Sequence, residues 1–397
     1  MASPKIEYSL IFNKKAKCMT GPLHGLNVIE LAGIGPGPYA GQLLADMGAH
    51  VTVVERPAGG IAGSGLPSVD RRGKASIVAD LRNAEGVKIV LELIKTADVL
   101  IEGNRPGVAE RLGVGPKDCH TVNPELIYGR MTGWGQAGPW AKRAGHDINY
   151  IGITGALHAM GKAGEPPTPP LNLVGDYGGG SLFLVAGILA ALHSAKTTGK
   201  GDVVDAAIID GTSSMMGIVY SLHGIGRWQS ERESNLLDGS RPFYRCYETA
   251  DGKYMAVGCI EPKFFAQMLS VLGVEQETFG GQYDIKHCRA QHEKLEAIFA
   301  MESRKYWSEK FFSTDACVTP VLNYEEAAKH PQNVARGGLK QCGDFIHPRP
   351  APGFESAAIN NNFSIPAKGS ATRDKLRELG YNDTLIERLI ADKVIAD

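Results

Sequence analysis

Asn27-Val-Ile-Glu-Leu-Ala-Gly-Ile-Gly-Pro-Gly-Pro-Tyr-Ala-Gly41, followed by His50-Val-Thr-Val-Val-Glu55, is the stretch that decides the fold. The apolar run Asn27–Leu31 reads as a strand, the glycines and prolines as a tight turn, and Pro38–Gly48 as a helix, with Pro38 as its first residue. The β-branched run His50–Glu55 reads as the next strand. Strand, turn, helix and strand in this order begin a parallel α/β sheet.

The alternation continues outward. Ala84–Ala97 reads as a helix, Val99–Ile101 and Leu126–Met131 as strands, and helices follow near Asp147–Met160 and Tyr177–Ser194. After Asp210 the pattern changes. Phe243–Ile260 alternates like a hairpin about the turn Ala250-Asp-Gly-Lys253, and helices are expected at Pro262–Leu272, His292–Phe299 and within Thr372–Leu389. The expected architecture is a Rossmann-like α/β domain over 21–210, completed by 345–397. A linker over 211–236 leads to a smaller α+β domain over 237–340. Residues 1–20, with Lys14, Lys15 and Lys17, read as a tag or leader outside the fold.

The glycine turn sits where a dinucleotide fingerprint would, with Glu55 ending the next strand. Its spacing is GxGxxxG, however, and Pro36 and Pro38 lack the N–H groups that cradle a phosphate. A packing turn or another ligand fits better. Arg56, Arg71, Arg72, Lys74, Arg82, Arg105 and Arg111 gather around the expected strand ends, where open α/β sheets bind ligands. Each has two readings, a solvated loop face or a contact to a phosphorylated ligand.

Composition narrows the class. The chain has 397 residues, 43% hydrophobic and 21% charged, with net charge -1. That suits a globular protein of two domains and gives no global basic field for nucleic acid. Seven cysteines with no CxxC spacing point to reduced thiols and a cytoplasmic setting, with no zinc site. Cys259 reads as a small core residue. The longest pure apolar run, Leu182–Leu192, is shorter than the about 20 residues a membrane span needs.

Three residues are candidates for proton chemistry. His146 opens a helix, where the positive helix end favours the neutral, basic imidazole, and the Asp147 N–H is free to face a developing oxyanion. Asp176 stands before three glycines at the start of the apolar helix, either as its N-cap or as a catalytic acid. Glu261 ends a strand before Pro262, as a turn residue or as the group that orients a histidine.

Around these positions the chain resembles the α-methylacyl-CoA racemases of the family III CoA-transferase superfamily, over roughly residues 21–397. The likeness rests on Val28–Pro38, Arg130–Gln136, Gly145–Tyr150, Pro170–Asp176, Ala256–Pro262 and Asp315–Val321. It implies that His146 and Asp176 are the two bases and that Glu261 bonds the histidine. It implies CoA contacts at Arg56, at Ala79, Asp80, Leu81 and Arg82, at Gly103, Asn104 and Arg105, at Arg111, and at Gly145, Asp147, Ile148, Asn149 and Tyr150. It further implies an acyl-CoA substrate, an interlocked homodimer, no metal and no separate cofactor, and neither nucleic acid nor membrane as a partner. The nearest rival is a transferase of the same fold, with the acid at 176 as a nucleophile. A non-catalytic acyl-CoA-binding protein is the rival from another class.

Overall fold

The computed structural model describes residues 21–57, 69–357 and 363–397. The expected tag or leader at 1–20 lies outside the described residues.

The opening stretch folds as its pattern predicts. β1 (Asn27–Leu31) and β2 (His50–Glu55) pair in parallel and flank the Pro36–Asp46 helix. The helix begins two residues earlier than expected. Pro36, not Pro38, is its first residue, and both prolines lie in the first turn, where a missing N–H costs nothing. Gly35 before it adopts φ 68°, a left-handed conformation that glycine takes without strain.

β3 (Ala75–Val78), β4 (Val99–Glu102), β5 (Ile127–Thr132) and β6 (Asp202–Ala207) complete a sheet ordered β3-β2-β1-β4-β5-β6. β1 to β5 run parallel, and the order reverses between β1 and β4. β3 and β6 are absent from the sequence reading. β3 is only four residues long and follows a basic loop, so its alternation is too brief to register.

Contact density divides the chain into two units. Of the described residues, the first holds those up to Arg130, Leu184–Val204 and those from Arg349 onward; the second holds Met131–Phe183 and Asp205–Pro348. This differs from the sequence division. Residues 131–183 and 205–210 group with the second unit, and the expected linker 211–236 contains the Gly217–Gly224 helix. The C-terminal segment returns to the first unit. Its helices Thr372–Glu378 and Asp383–Ala391 bury Leu376, Ile386 and Leu389 against Ile89 of the Ala84–Ile94 helix. Ala371 donates its N–H to the Ser76 carbonyl at 2.8 Å, and Thr372 accepts the Val78 N–H at 3.0 Å. The free edge of β3 is thereby covered.

The first unit contains buried ion pairs. Lys74 Nζ meets Glu30 Oε2 at 2.7 Å and also donates to the Pro38 carbonyl at 2.8 Å. Arg72 pairs with Asp46 at 2.6 Å. A Cβ at Gly41 would come 1.9 Å from Glu30 Oε2, so this glycine exists to let the helix pass over the Glu30–Lys74 pair. The fingerprint-like spacing is thus a packing device.

The second unit carries an antiparallel sheet of β7 (Tyr244–Glu248), β8 (Tyr254–Gly258) and β9 (Val318–Val321). Gly252 at φ 67° makes the expected hairpin turn. Tyr247, Met255, Val257 and Val318 pack against Phe265, Phe299 and Trp307 from the helices between β8 and β9. Cys259 is fully buried, as read from sequence. A further hairpin joins β10 (Leu339–Cys342) and β11 (Phe345–Pro348).

The expected helix near Tyr177–Ser194 is longer and of two kinds, a π-helical segment at Leu173–Ser181 continuing into an α-helix at Leu182–Thr198. Together they are long and apolar enough to cross a membrane by length and composition alone. Leu184 and Ile188 nevertheless lie 3.0 and 3.2 Å from where a Cβ of Gly129 would stand on β5, as a core helix packs on a sheet.

Candidate active site

His146 is placed by a short helix that aromatic packing holds. The helix is Asp147–Gly152, six residues, and His146 is its extended N-cap. The His146 N–H donates to Asn149 Oδ1 at 3.0 Å, and its carbonyl accepts the Asn149 N–H at 2.8 Å. The Tyr150 hydroxyl donates to the Gly145 carbonyl, and its ring meets Trp134 edge-on with centroids 4.7 Å apart. Side chains at Gly133 or Gly145 would strike that ring. The His146 side chain is left exposed. The helix expected to run to Met160 stops at Gly152, and only a short 3₁₀ turn at Leu157–Ala159 follows.

Asp176 is placed by the π-helical segment, and this corrects the N-cap reading. Asn172 is the cap, and Asp176 lies within the first turn, half-buried. Tyr177 donates its N–H to the Asn172 carbonyl at 3.2 Å, the wide i→i−5 spacing of a π-turn, a geometry frequent at functional sites. The glycines after Asp176 serve a neighbouring backbone. A Cβ at Gly179 would sit 2.8 Å from the Thr212 nitrogen of the Ile208–Met215 helix, and one at Gly211 would sit 1.9 Å from the Gly179 carbonyl oxygen.

These elements bring His146, Asp147 and Asp176 together. Burial, and next the Asp147 carboxylate, push the Asp176 carboxyl up to about 6, against a hydrogen bond from Asn172 and the nearby His146. Burial pushes Asp147 up as well, while the N–H groups of Asp176 and Gly175 pull it down. Glu261 behaves differently. It precedes the Pro262–Leu272 helix with an exposed side chain that makes no cap bond, and its charge acts on the Cys317 thiol. Among the described residues no hydrogen bond joins it to His146.

The expected CoA contacts divide between the units. In the first, a cleft of about 380 Å³ lies at the C-terminal edge of β1 to β4, beside the point where the strand order reverses. Open α/β sheets bind ligands there. Arg56, Ala79, Asp80, Leu81, Arg82 and Asn104 all line it; Gly103, Arg105 and Arg111 stand outside its lining. Glu102 at the end of β4 accepts the Asn104 N–H at 2.6 Å and the Arg130 Nε–H at 3.1 Å, which fixes the Gly103–Arg105 turn to the sheet. In the second unit, Gly145, Asp147, Ile148, Asn149 and Tyr150 are the His146 turn itself.

The basic cluster splits by role. Arg71, Arg72 and Lys74 are held in ion pairs with Glu55, Asp46 and Glu30, Arg72 and Lys74 fully buried, so they are neither a solvated loop face nor free for a ligand's phosphates. Arg82 folds onto Asp80 at 2.9 Å on the surface. Arg56, Arg105 and Arg111 stay exposed. Sequence reasoning missed the Asp147 carboxylate and the Glu102–Arg130 pair. The acid next to the histidine was a signal for the first; the second depends on strand register, which the sequence does not show.

Comparison with known proteins identifies the family and the fold. The family model for CoA-transferase family III matches residues 23–368. The α-methylacyl-CoA racemases of Mus musculus and Homo sapiens are each 40% identical over 94% of this chain and 97% of their own length. The succinyl-CoA:glutarate CoA-transferase of Mus musculus is 29% identical over 94% of this chain and 90% of its own. The crystal structure of a CAIB/BAIF family protein from Brucella suis superposes with a TM-score of 0.80 at 26% identity, covering 91% of this chain and all of that one. The chain therefore belongs to CoA-transferase family III.

Proposed function

We propose that this chain is an α-methylacyl-CoA racemase, interconverting (R)- and (S)-2-methylacyl-CoA by moving one proton at the carbon beside the thioester. The observation that carries the reading is the pairing of His146, at a helix start, with an aspartic acid whose carboxyl is pushed up to about 6. Racemisation needs two groups in opposite protonation states near one carbon, each able to gain or lose a proton near neutral pH. One base removes the α-proton, the thioester oxygen holds the resulting enolate charge, and the other group returns a proton to the opposite face. His146 and Asp176 exchange roles with substrate configuration. The N–H of Asp147, at the positive end of its helix, suits the enolate oxygen.

The identity to two racemases over nearly the whole chain supports this assignment. CoA then takes the first unit's cleft, with Arg56 and Arg111 for its phosphates and no further cofactor. A homodimer is part of the proposal. Ile148, Leu171, Leu173, Leu182 and Phe183 are large apolar side chains exposed around the catalytic elements, a surface that calls for an acyl chain or a second protomer. Glu261 reaches a histidine from that second protomer. The setting is cytoplasmic, without membrane attachment.

The rival is acyl transfer with Asp176 as nucleophile, favoured by the transferase relatives. His146 argues against it, since transfer needs no second base there. Incubation of either 2-methylacyl-CoA epimer in D2O distinguishes them. We expect both epimers to appear, with deuterium at the α-carbon. Transfer of CoA to a free acid by the His146→Ala variant, with no deuterium uptake by the wild type, overturns the racemase reading.

A further inference from the structure

The Asp147 side chain is buried, although His146 beside it in the chain is exposed. It is 7% exposed, and Oδ2 accepts the Asp176 N–H at 2.6 Å. The nearby Gly175 N–H favours the charged form of the same carboxylate. A Cβ at Gly175 would lie 2.4 Å from Oδ2, so only glycine at 175 admits the carboxylate to this position. Oδ1 is buried with no hydrogen-bond partner. An acid buried this way is costly, and the chain spends a glycine to accommodate it.

We infer that the Asp147 carboxylate is a positioning residue that clamps the Asp176 turn to the His146 helix and sets the charge environment of the Asp176 carboxyl. The inference rests on the racemase reading for its catalytic meaning, but its physical content does not depend on it. His146 and Asp147 are consecutive, so bonding Asp147 to the backbone of Asp176 fixes the approach of one base to the other. In an α-turn at the start of Leu173–Ser181 the Asp176 N–H would meet the Asn172 carbonyl. The π-turn gives that carbonyl to Tyr177 and leaves the Asp176 N–H to Asp147. The one side chain thus does two things. It accepts the Asp176 N–H of the turn that carries that residue, and it holds a negative charge beside the Asp176 carboxyl.

The groups that face Asp176 define the test. Asp147 and His146 come from the Asp147–Gly152 helix and its cap, and Asn172 from its own segment. The Ile208–Met215 helix packed against the segment contributes one titratable residue, Asp210, which is exposed. Asp147 is therefore the acid whose removal changes the charge at Asp176.

Asp147→Asn and Asp147→Ala separate the two roles. Asparagine keeps a carbonyl oxygen for the clamp and removes the charge; alanine removes both. The readout is the pH profile of kcat/KM for epimerisation, together with 13C NMR titration of the Asp176 carboxyl, assigned against Asp176→Asn. We expect Asp147→Asn to move the acidic limb and the Asp176 titration down together by about one pH unit. We expect Asp147→Ala to lose at least about tenfold more kcat than Asp147→Asn, with KM changed less. An Asp176 titration that is unmoved in Asp147→Asn overturns the inference, as does an Asp147→Ala enzyme with the kcat of Asp147→Asn. Should the wild type fail to epimerise, the racemase reading falls, and the carboxyl titration still decides on Asp147.

Discussion

The two units treat buried acids in opposite ways. In the first, Glu30, Asp46, Glu55 and Glu102 are buried, and each meets a cation: Lys74, Arg72, Arg71 and Arg130. In the second, Asp147 and Asp176 lie side by side, and among the described residues the basic group acting on Asp176 is His146. Burial pushes the Glu30 and Glu102 carboxyls up, and their cations Lys74 and Arg130 pull against it. Burial pushes Asp176 up to about 6, and there the neighbouring Asp147 carboxylate adds to the rise instead of opposing it. The first arrangement suits a rigid scaffold under a ligand cleft, and the second suits proton transfer. Where a chain leaves an acid without its cation is therefore informative about where its chemistry lies.

The sharpest way to break this comparison is to delete each member of the reactive pair. Asp176→Asn and His146→Ala should each lower racemisation by roughly 10²–10⁴-fold, the usual worth of one general acid or base. Chiral separation of the CoA thioesters gives the rate. Residual deuterium exchange should favour opposite epimers in the two variants. Equal losses of only a few-fold would place the chemistry elsewhere.

Next in size is the loss of one partner of a matched pair. Lys74→Met strands the Glu30 carboxylate and should cost about 3–5 kcal/mol, whereas the double change Glu30→Met with Lys74→Met should recover most of it. Urea unfolding reads both. If the single change is as mild as the double, the first unit's pairs are not what holds the turn.

A smaller effect is expected at the cleft. Arg56→Ala or Arg111→Ala should raise KM by about tenfold with little change in kcat, because a contact to a CoA phosphate serves ground and transition states alike. The KM of the wild type should rise with salt, and that of the variants less. Dephospho-CoA thioesters show which phosphate each arginine meets.

The smallest effect is on stability, and its sign follows from the raised Asp176 carboxyl. Its folded value is about 6 against an ordinary 3.8, so the ionised form costs the folded state free energy at neutral pH. Asp176→Asn should then be more stable than the wild type at pH 7, by of order 1 kcal/mol after solvent screening of a half-buried group. The gain should shrink as pH falls through about 6 and disappear below about 4. Thermal unfolding at a series of pH values measures it. A variant less stable at every pH would show that the carboxylate is a structural cap after all.

The sequence by itself determined the parallel α/β order of the first unit, the hairpin and helices of the second, and the identity of His146 and Asp176 as the residues to examine. These are local matters. Hydrophobic period, turn glycines and a histidine beside an acid are visible within a few residues. The tertiary structure decided what the charges do. Arg71, Arg72 and Lys74 read equally as a solvated loop face or as phosphate contacts beside Arg56, and only the fold put Glu55, Asp46 and Glu30 against them. Asp176 looked like a helix cap until the π-turn placed it beside Asp147, a residue 29 positions away. Whether a carboxyl finds a cation, a backbone N–H or another carboxyl depends on contacts between distant segments. No window of sequence contains them, and they set the electrostatics on which the chemistry runs.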